Sequence, residues 1–292
     1  MGICPRCGAP RPTVADECPR CGVIYAKAEG RAATLQSQVA LVPVVDEDVL
    51  EARLRTWAVP MALVLSWLLV KTGAGHALVR IFFSMWVHEL GHAAAAWLCG
   101  YPAIPGPWRT FTASSRSIAF SALAFAGLGY AVLRSWAAGR RGVAGALLAV
   151  IFLQLLCTTF VRPDSARAFI VFAGDASCLV LGALLIATVY APAGSVLRRG
   201  ALRWGFLAIG AASFTDVFEQ WWSARSDSDR IPFGANEGVG PSDPSILSDS
   251  YGWSASMLVH RYLVLGCASL FALVLVHVFA LRRARAAADA QD

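Results

Sequence analysis

The chain has 292 residues, enough for about two domains of ordinary size. Apolar side chains make up 57% of it and charged ones only 15%, against roughly 45–50% and about 25% in soluble globular proteins. These figures exclude disordered, collagen-like and disulfide-rich secreted classes, and the net charge of +6, borne largely by Arg between apolar runs, suits anionic lipid headgroups better than nucleic acid. An integral membrane protein is expected, with the lipid bilayer as a partner and no nucleic acid.

Eight cysteines fall into two unlike sets. Cys99, Cys157, Cys178 and Cys267 are scattered singly through apolar stretches, where Cys behaves as a small hydrophobe. Cys4, Cys7, Cys18 and Cys21 form two CPRC knuckles, each followed by a glycine, Gly8 or Gly22. Adjacent knuckles of this kind can place four thiolates tetrahedrally around one Zn²⁺. So short a segment has no real core, and a metal would supply most of its folding energy. Residues 1–26 thus resemble a small zinc ribbon; a redox dithiol pair or two disulfides are the competing readings. Thiolate zinc favours a reducing compartment, and MGICPRCG lacks an apolar signal-peptide core. A cytoplasmic N-terminus is expected, with the ribbon recruiting a cytoplasmic protein partner.

Residues 27–55 read as a linker. From Trp57 the chain runs in apolar blocks, roughly 57–71, 77–100, 117–133, 142–161, 168–191, 202–222 and 258–281. The block 142–161 holds twenty residues without a charge, enough to cross a hydrocarbon core as a helix. Backbone groups cannot go unpaired in lipid, so an all-α polytopic domain is expected over 56–285, with six or seven transmembrane helices and a tail at 286–292. Trp57, Trp97, Trp136, Trp204, Trp221, Trp222 and Trp253 lie near block ends, as an aromatic belt would. Block 57–71 is short, contains Pro60 and reads as re-entrant by the positive-inside rule. The polar, acidic loop 223–256 is rich in turn-forming residues, and a connection this long reads as an ordered lid or binding loop.

Block 77–100 contains His88-Glu89-Leu90-Gly91-His92, the HExxH pattern on a helical background. Residues four apart share a helix face, so both imidazoles can reach one metal. Glu89, one position on, can take a proton from an activated water and hand it to a leaving amine. Zn²⁺ suits the nitrogen ligands. Charged and ionisable groups at membrane depth are costly unless they have partners or a purpose, so the bland alternative is a polar cluster bracing the helix bundle.

HELGH followed by AAAA in a transmembrane helix resembles the site-2 protease family of intramembrane zinc metalloproteases, closely over residues 84–100 and loosely elsewhere. The resemblance implies His88 and His92 as zinc ligands, Glu89 as catalytic base, and transmembrane or juxtamembrane segments of membrane proteins as substrates. It also implies an Asp as third ligand, usually in an Asn-Pro-Asp-Gly or Leu-Asp-Gly motif. That motif is absent, and the nearest equivalent is Gly174-Asp175-Ala176. Asp175 lies about 12 Å into its block, as His92 does from Gly100, at 1.5 Å per residue. It is also the lone charged residue of block 168–191. Asp175 is therefore the expected third ligand, with Asp216 the alternative, although Asp216 reads better as an interfacial charge paired with Arg225. The leading expectation is a zinc endopeptidase with one catalytic ion in the membrane domain and one structural ion in the ribbon. A non-catalytic membrane zinc scaffold or sensor is the alternative.

Overall fold

The computed structural model describes residues 2–10, 15–28, 47–192, 194–198, 201–236 and 240–289. It divides into an N-terminal unit, Met1–Glu51, and a larger one, Ala52–Asp292. Most of the expected linker, residues 29–46, lies outside the described residues, as do 11–14 within the ribbon and 290–292 of the tail.

In the N-terminal unit the two knuckles repeat one backbone design. Gly8 N–H donates to the Cys4 carbonyl at 3.0 Å, and Gly22 N–H to that of Cys18 at 2.9 Å. Both glycines have positive φ (71° and 67°), which side chains with a Cβ rarely adopt. Isolated bridges Ile3–Pro10 and Glu17–Ile24 close the two loops. Cys4, Cys18 and Tyr25 are the only buried apolar side chains clustered there among the described residues.

The larger unit is almost entirely helical. Helix α1 spans Glu47–Val70, so the final residues of the expected linker are helical rather than extended. Next comes one long helix in three parts: α2 (Gly73–Val79), a π-helical turn (Arg80–Ser84) and α3 (Met85–Leu98). Thr72 caps its start by accepting from Gly75 N–H, so His76 lies inside a helix rather than between blocks. A two-stranded antiparallel hairpin follows, β1 (Ala103–Pro105) and β2 (Thr110–Thr112). Then come α4 (Ile118–Ala137), α5 (Arg141–Thr159), α6 (Pro163–Ala187) and α7 (Leu202–Ala224). The polar loop 223–256 carries a short β3–β4 pair (Ala235–Asn236 with Gly240–Pro241) and a helix, α8 (Asp243–Tyr251). Helix α9 (Ala255–Asp289) extends through most of the expected tail.

Five helices among the described residues are long and apolar enough to cross a membrane: Arg53–Val70, Ile118–Ala137, Arg141–Thr159, Pro163–Tyr190 and Ala255–Ala284. The six or seven expected spans also counted blocks 77–100 and 202–222, which are helical but do not join these five. Helices α4 and α5 turn Leu123, Tyr130, Leu133 and Phe152 outward, while burying Ser121 on one and Gln154 on the other. That inverts the arrangement of a helix in water, whose apolar stripe faces inward.

Helix α6 is the central element, buried along most of its length and packed against α3, α7, α8 and α9. On its far side Trp221 of α7 stacks on Tyr262 of α9 at 4.2 Å, and Tyr262 stacks on Phe172 at 4.5 Å. Trp221 is 1% exposed, so it belongs to the core rather than to an aromatic belt. Small residues let α3 and α6 approach closely: a Cβ at Gly91 would collide with Ser177 and the Ala173 carbonyl. Ser177 reinforces this seam, its hydroxyl lying 2.8 Å from the Val87 carbonyl across the interface.

Candidate metal centres

The two groups of side chains able to hold a metal among the described residues are Cys4–Cys7–Cys18–Cys21 and His88–Glu89–His92. In the first, Cys4 Sγ and Cys21 Sγ are 3.7 Å apart, as are Cys7 Sγ and Cys18 Sγ. A tetrahedral ion with bonds of about 2.3 Å to sulfur separates its ligands by about 3.8 Å. The spacing fits such an ion, and all four thiols are free rather than paired in disulfides. The Arg20 backbone N–H favours the Cys18 thiolate and outweighs the opposing desolvation, lowering that pKa to about 6. For Cys21 the Val23 N–H acts in the same sense, but desolvation and the neighbouring thiols overcome it and push the pKa up to about 12.

The second group is built on α3. His88 and Glu89 are 8% and 4% exposed. The ring orientations are fixed from behind. His88 Nδ1 lies 3.0 Å from Asp175 Oδ1, and His92 Nδ1 lies 2.7 Å from the Ile170 carbonyl. Both partners on α6 can only accept, so each Nδ1 carries a hydrogen, which in a neutral ring leaves Nε2 free to bind a cation. The two Nε2 atoms lie 3.1 Å apart.

Both face a residue that the sequence reading did not single out. Asp243 Oδ2 stands 3.0 Å from each Nε2. This oxygen is buried and accepts no hydrogen bond. With both rings neutral, three electron-rich atoms converge there, an arrangement that costs free energy unless a cation or a proton lies among them. Their triangle of 3.0, 3.0 and 3.1 Å is close to the edge of about 3.3 Å set by a tetrahedral ion with bonds near 2.0 Å. The residues present therefore fit a metal ion.

Asp243 is delivered by the first turn of α8. Ser242 caps that turn, its hydroxyl accepting from Ser245 N–H, and Pro244 pre-sets the helical φ. Ser245 Oγ accepts from Gly234 N–H at 2.8 Å, and Leu247 is fully buried, so the segment is anchored on both sides. The loop expected to be ordered thus supplies a side chain to the site.

Asp175, the expected third ligand, meets the site from the other end of the His88 ring. Its Oδ1 faces Nδ1 rather than Nε2, and its Oδ2 accepts from Trp221 Nε1 at 2.9 Å. Both oxygens are engaged, and the carboxylate supports the His88 ring from behind rather than facing the Nε2 atoms. Asp175 does lie level with His88, but depth along a helix does not say which edge of an imidazole a carboxylate meets. Asp216 is not an interfacial partner of Arg225. It is 1% exposed, with Oδ2 3.2 Å from Arg80 Nη1 and Oδ1 3.0 Å from His76 Nε2. Arg225 stacks instead on Trp222, 4.2 Å from the ring centroid.

Glu89 sits beside the histidines, its carboxylate within 4.8 Å of their ligand atoms. Thr110 on β2 holds it, with Oγ1 2.8 Å from Glu89 Oε2 and also 2.8 Å from the Glu89 carbonyl. Gly174 completes the cradle: a Cβ there would lie 2.5 Å from His88 Cε1 and 2.6 Å from His92 Nε2. Of the sequence-predicted residues the structure gathers His88, Glu89, His92 and Asp175; it adds Thr110, Gly174, Trp221 and Asp243. The one sequence signal for Asp243 was its Ser-Asp-Pro-Ser context, a helix start within a polar loop.

No family model, curated protein or solved structure matches the chain.

Proposed function

We propose that this protein is an intramembrane zinc-dependent endopeptidase. The observation that supports this most is the convergence of the His88 and His92 Nε2 atoms on one buried carboxylate oxygen of Asp243, with a second carboxylate beside them. Histidine nitrogen and carboxylate oxygen at these separations suit Zn²⁺, with His88, His92 and Asp243 as ligands and Asp175 in support. Three protein ligands leave a fourth position open, the pattern of catalytic rather than structural zinc. When bound, zinc supplies Lewis acidity toward a water molecule and a peptide carbonyl.

The chain's own residues do the rest. Glu89 accepts the water's proton and passes it to the departing amide nitrogen. Thr110 keeps the carboxylate turned toward the histidines. Burial of the site shields it from bulk solvent and strengthens each polar contact within it. The apolar outward faces of α4 and α5 and the five apolar helices support a bilayer setting for this chemistry, and the substrate in this reading is a transmembrane or juxtamembrane segment of another membrane protein. Its helix has to unwind locally, because a helical backbone keeps its carbonyls hydrogen-bonded. The Cys4–Cys7–Cys18–Cys21 site holds a second, structural zinc in a ribbon that faces the cytoplasm and docks a protein partner there.

The enclosure of the His88 site also lends weight to a non-catalytic reading, in which the ion braces α3, α6 and α8 in a membrane scaffold. One experiment separates the two. Full-length protein and Glu89→Gln are purified in detergent, assayed for metal by elemental analysis, and reconstituted with a labelled single-span substrate. The endopeptidase reading expects equal zinc in both and cleavage only in the native protein. Cleavage surviving in Glu89→Gln removes Glu89 as the base, and absence of cleavage from both across a panel of single-span substrates favours the scaffold.

A further inference from the structure

His76, Arg80, Ser84, His88 and His92 recur every four residues along one helix. On a regular α-helix at 3.6 residues per turn such a row drifts steadily around the axis. The π turn at Arg80–Ser84 winds more residues into a turn and takes back part of that drift. It begins at Arg80, which points to the same side as His88, toward α6 and α7.

The guanidinium is placed between two buried carboxylates on different helices. Arg80 Nη1 is 3.2 Å from Asp216 Oδ2 on α7, and Nη2 is 3.8 Å from Asp175 Oδ1 on α6. The side chains of Asp216 and Asp175 are 0% and 4% exposed. Asp175 Oδ1 is also the atom that accepts from His88 Nδ1. A planar fork can serve two acceptors at once from a fixed geometry; a lysine ammonium, a single point of charge, cannot reproduce this. The far end of the row opens on a cavity of about 420 Å³ lined by His76, Asp216, Glu219, Gln220 and Arg230.

We propose that Arg80 is a positioning residue of the intramembrane metal centre: its guanidinium shares Asp175 Oδ1 with His88 and ties that carboxylate to Asp216. This rests on the metal reading above. Asp175 has two hydrogen-bonding neighbours, His88 and Trp221, and in the apolar interior their combined hold does not balance its charge. Arg80 supplies a balancing charge at the oxygen that faces His88. Asp175 is thereby held in one orientation, and His88 in the ring position that turns Nε2 toward His92 and Asp243. The role is exerted through Asp175 and needs no contact with substrate.

The test uses full-length protein in detergent micelles, titrated with Zn²⁺ in competition with a chromophoric chelator. Native protein binds two equivalents, and the double variant His88→Ala/His92→Ala binds the ribbon's equivalent alone. Arg80→Met weakens the second equivalent by about 10- to 100-fold, the usual effect of losing an outer-shell partner, and leaves the ribbon's unchanged. Arg80 is also the counter-charge of Asp216, so this variant loses stability for a reason unrelated to the metal. Arg80→Met/Asp216→Asn separates the two roles: it regains much of the unfolding temperature and keeps the weakened second site. Native affinity in Arg80→Met, or affinity restored in the double variant, overturns the proposal. A native protein that binds no more zinc than His88→Ala/His92→Ala overturns the metal reading itself, a result distinct from either.

Discussion

The two candidate metal centres of this chain are built in opposite ways. The cysteine site takes all its ligands from 18 consecutive residues, between Cys4 and Cys21, and two near-identical turns shape it. The histidine site takes atoms from α3 and α8 and orients them with groups on α6 and α7, separated by as many as 155 residues from His88 to Asp243. A local site can fold around its ion and depends on it. A dispersed one has its geometry set by helix packing before any ion arrives. The first should therefore fail as a unit when a ligand is lost, and the second should fail by degrees, according to how near the metal the change falls.

The largest expected effect is at the ligands. In full-length protein, Cys18→Ser removes one zinc equivalent together with the ordered amide signals of residues 2–10 and 15–28, and leaves the second equivalent intact. His88→Ala or Asp243→Ala removes the other equivalent while the helical circular dichroism stays unchanged. A loss of helix on that scale would show the dispersed site to be as metal-dependent as the local one. Next in size is Asp175→Asn. It still fills the site at saturating zinc, with affinity reduced by about 10- to 100-fold. If Asp175→Asn abolished binding while Asp243→Asn bound normally, the assigned roles of the two carboxylates would be reversed.

Gly174→Ala comes third. The added methyl meets both imidazoles, and overpacking of this kind costs about 1–3 kcal/mol, measurable as a lower unfolding temperature together with weaker zinc binding. The smallest effect is expected for Thr110→Val. One hydrogen bond to Glu89 is worth about 1 kcal/mol, so turnover falls roughly fivefold at unchanged zinc content, and Thr110→Ser recovers most of it. Lower zinc content in Thr110→Val would move Thr110 from holding the base to supporting the metal.

The same contrast explains how much of the molecule was legible in the sequence. Cys4, Cys7, Cys18 and Cys21 could be read directly, because spacing and turn residues contain the whole design. His88, Glu89 and His92 were legible as a helix face. Their surroundings were not. A carboxylate can lie level with an imidazole and still meet the wrong edge of it, as Asp175 does. The choice between edges depends on the rotation of α6 against α3, which Gly91 and Ser177 settle by contact. Asp216 next to Trp221 and Trp222 read as interfacial because sequence neighbours suggested an exposed helix end. The partner that draws it inward, Arg80, is 136 residues away. Asp243 was hidden in a loop with several acidic residues, set apart from Asp249 and Asp229 only by its place at a Ser-Asp-Pro-Ser helix start, which says nothing of a ligand.

Behind the candidate metal site the two histidines lean on partners of different kinds. Asp175 is a side chain, and mutation at one codon removes it. The Ile170 carbonyl that holds His92 belongs to the main chain, and every residue type at position 170 would present it. A saturation scan would therefore give an uneven map. Position 175 should be intolerant, while position 170 should accept many apolar substitutions although its oxygen lies 2.7 Å from a histidine of the candidate site. The tolerance would reflect an interaction encoded by the course of the helix rather than by any one letter. Chemical synthesis could reach it where genetics cannot: replacing the amide after Ile170 with an ester keeps every side chain, weakens that acceptor and removes the Val171 N–H.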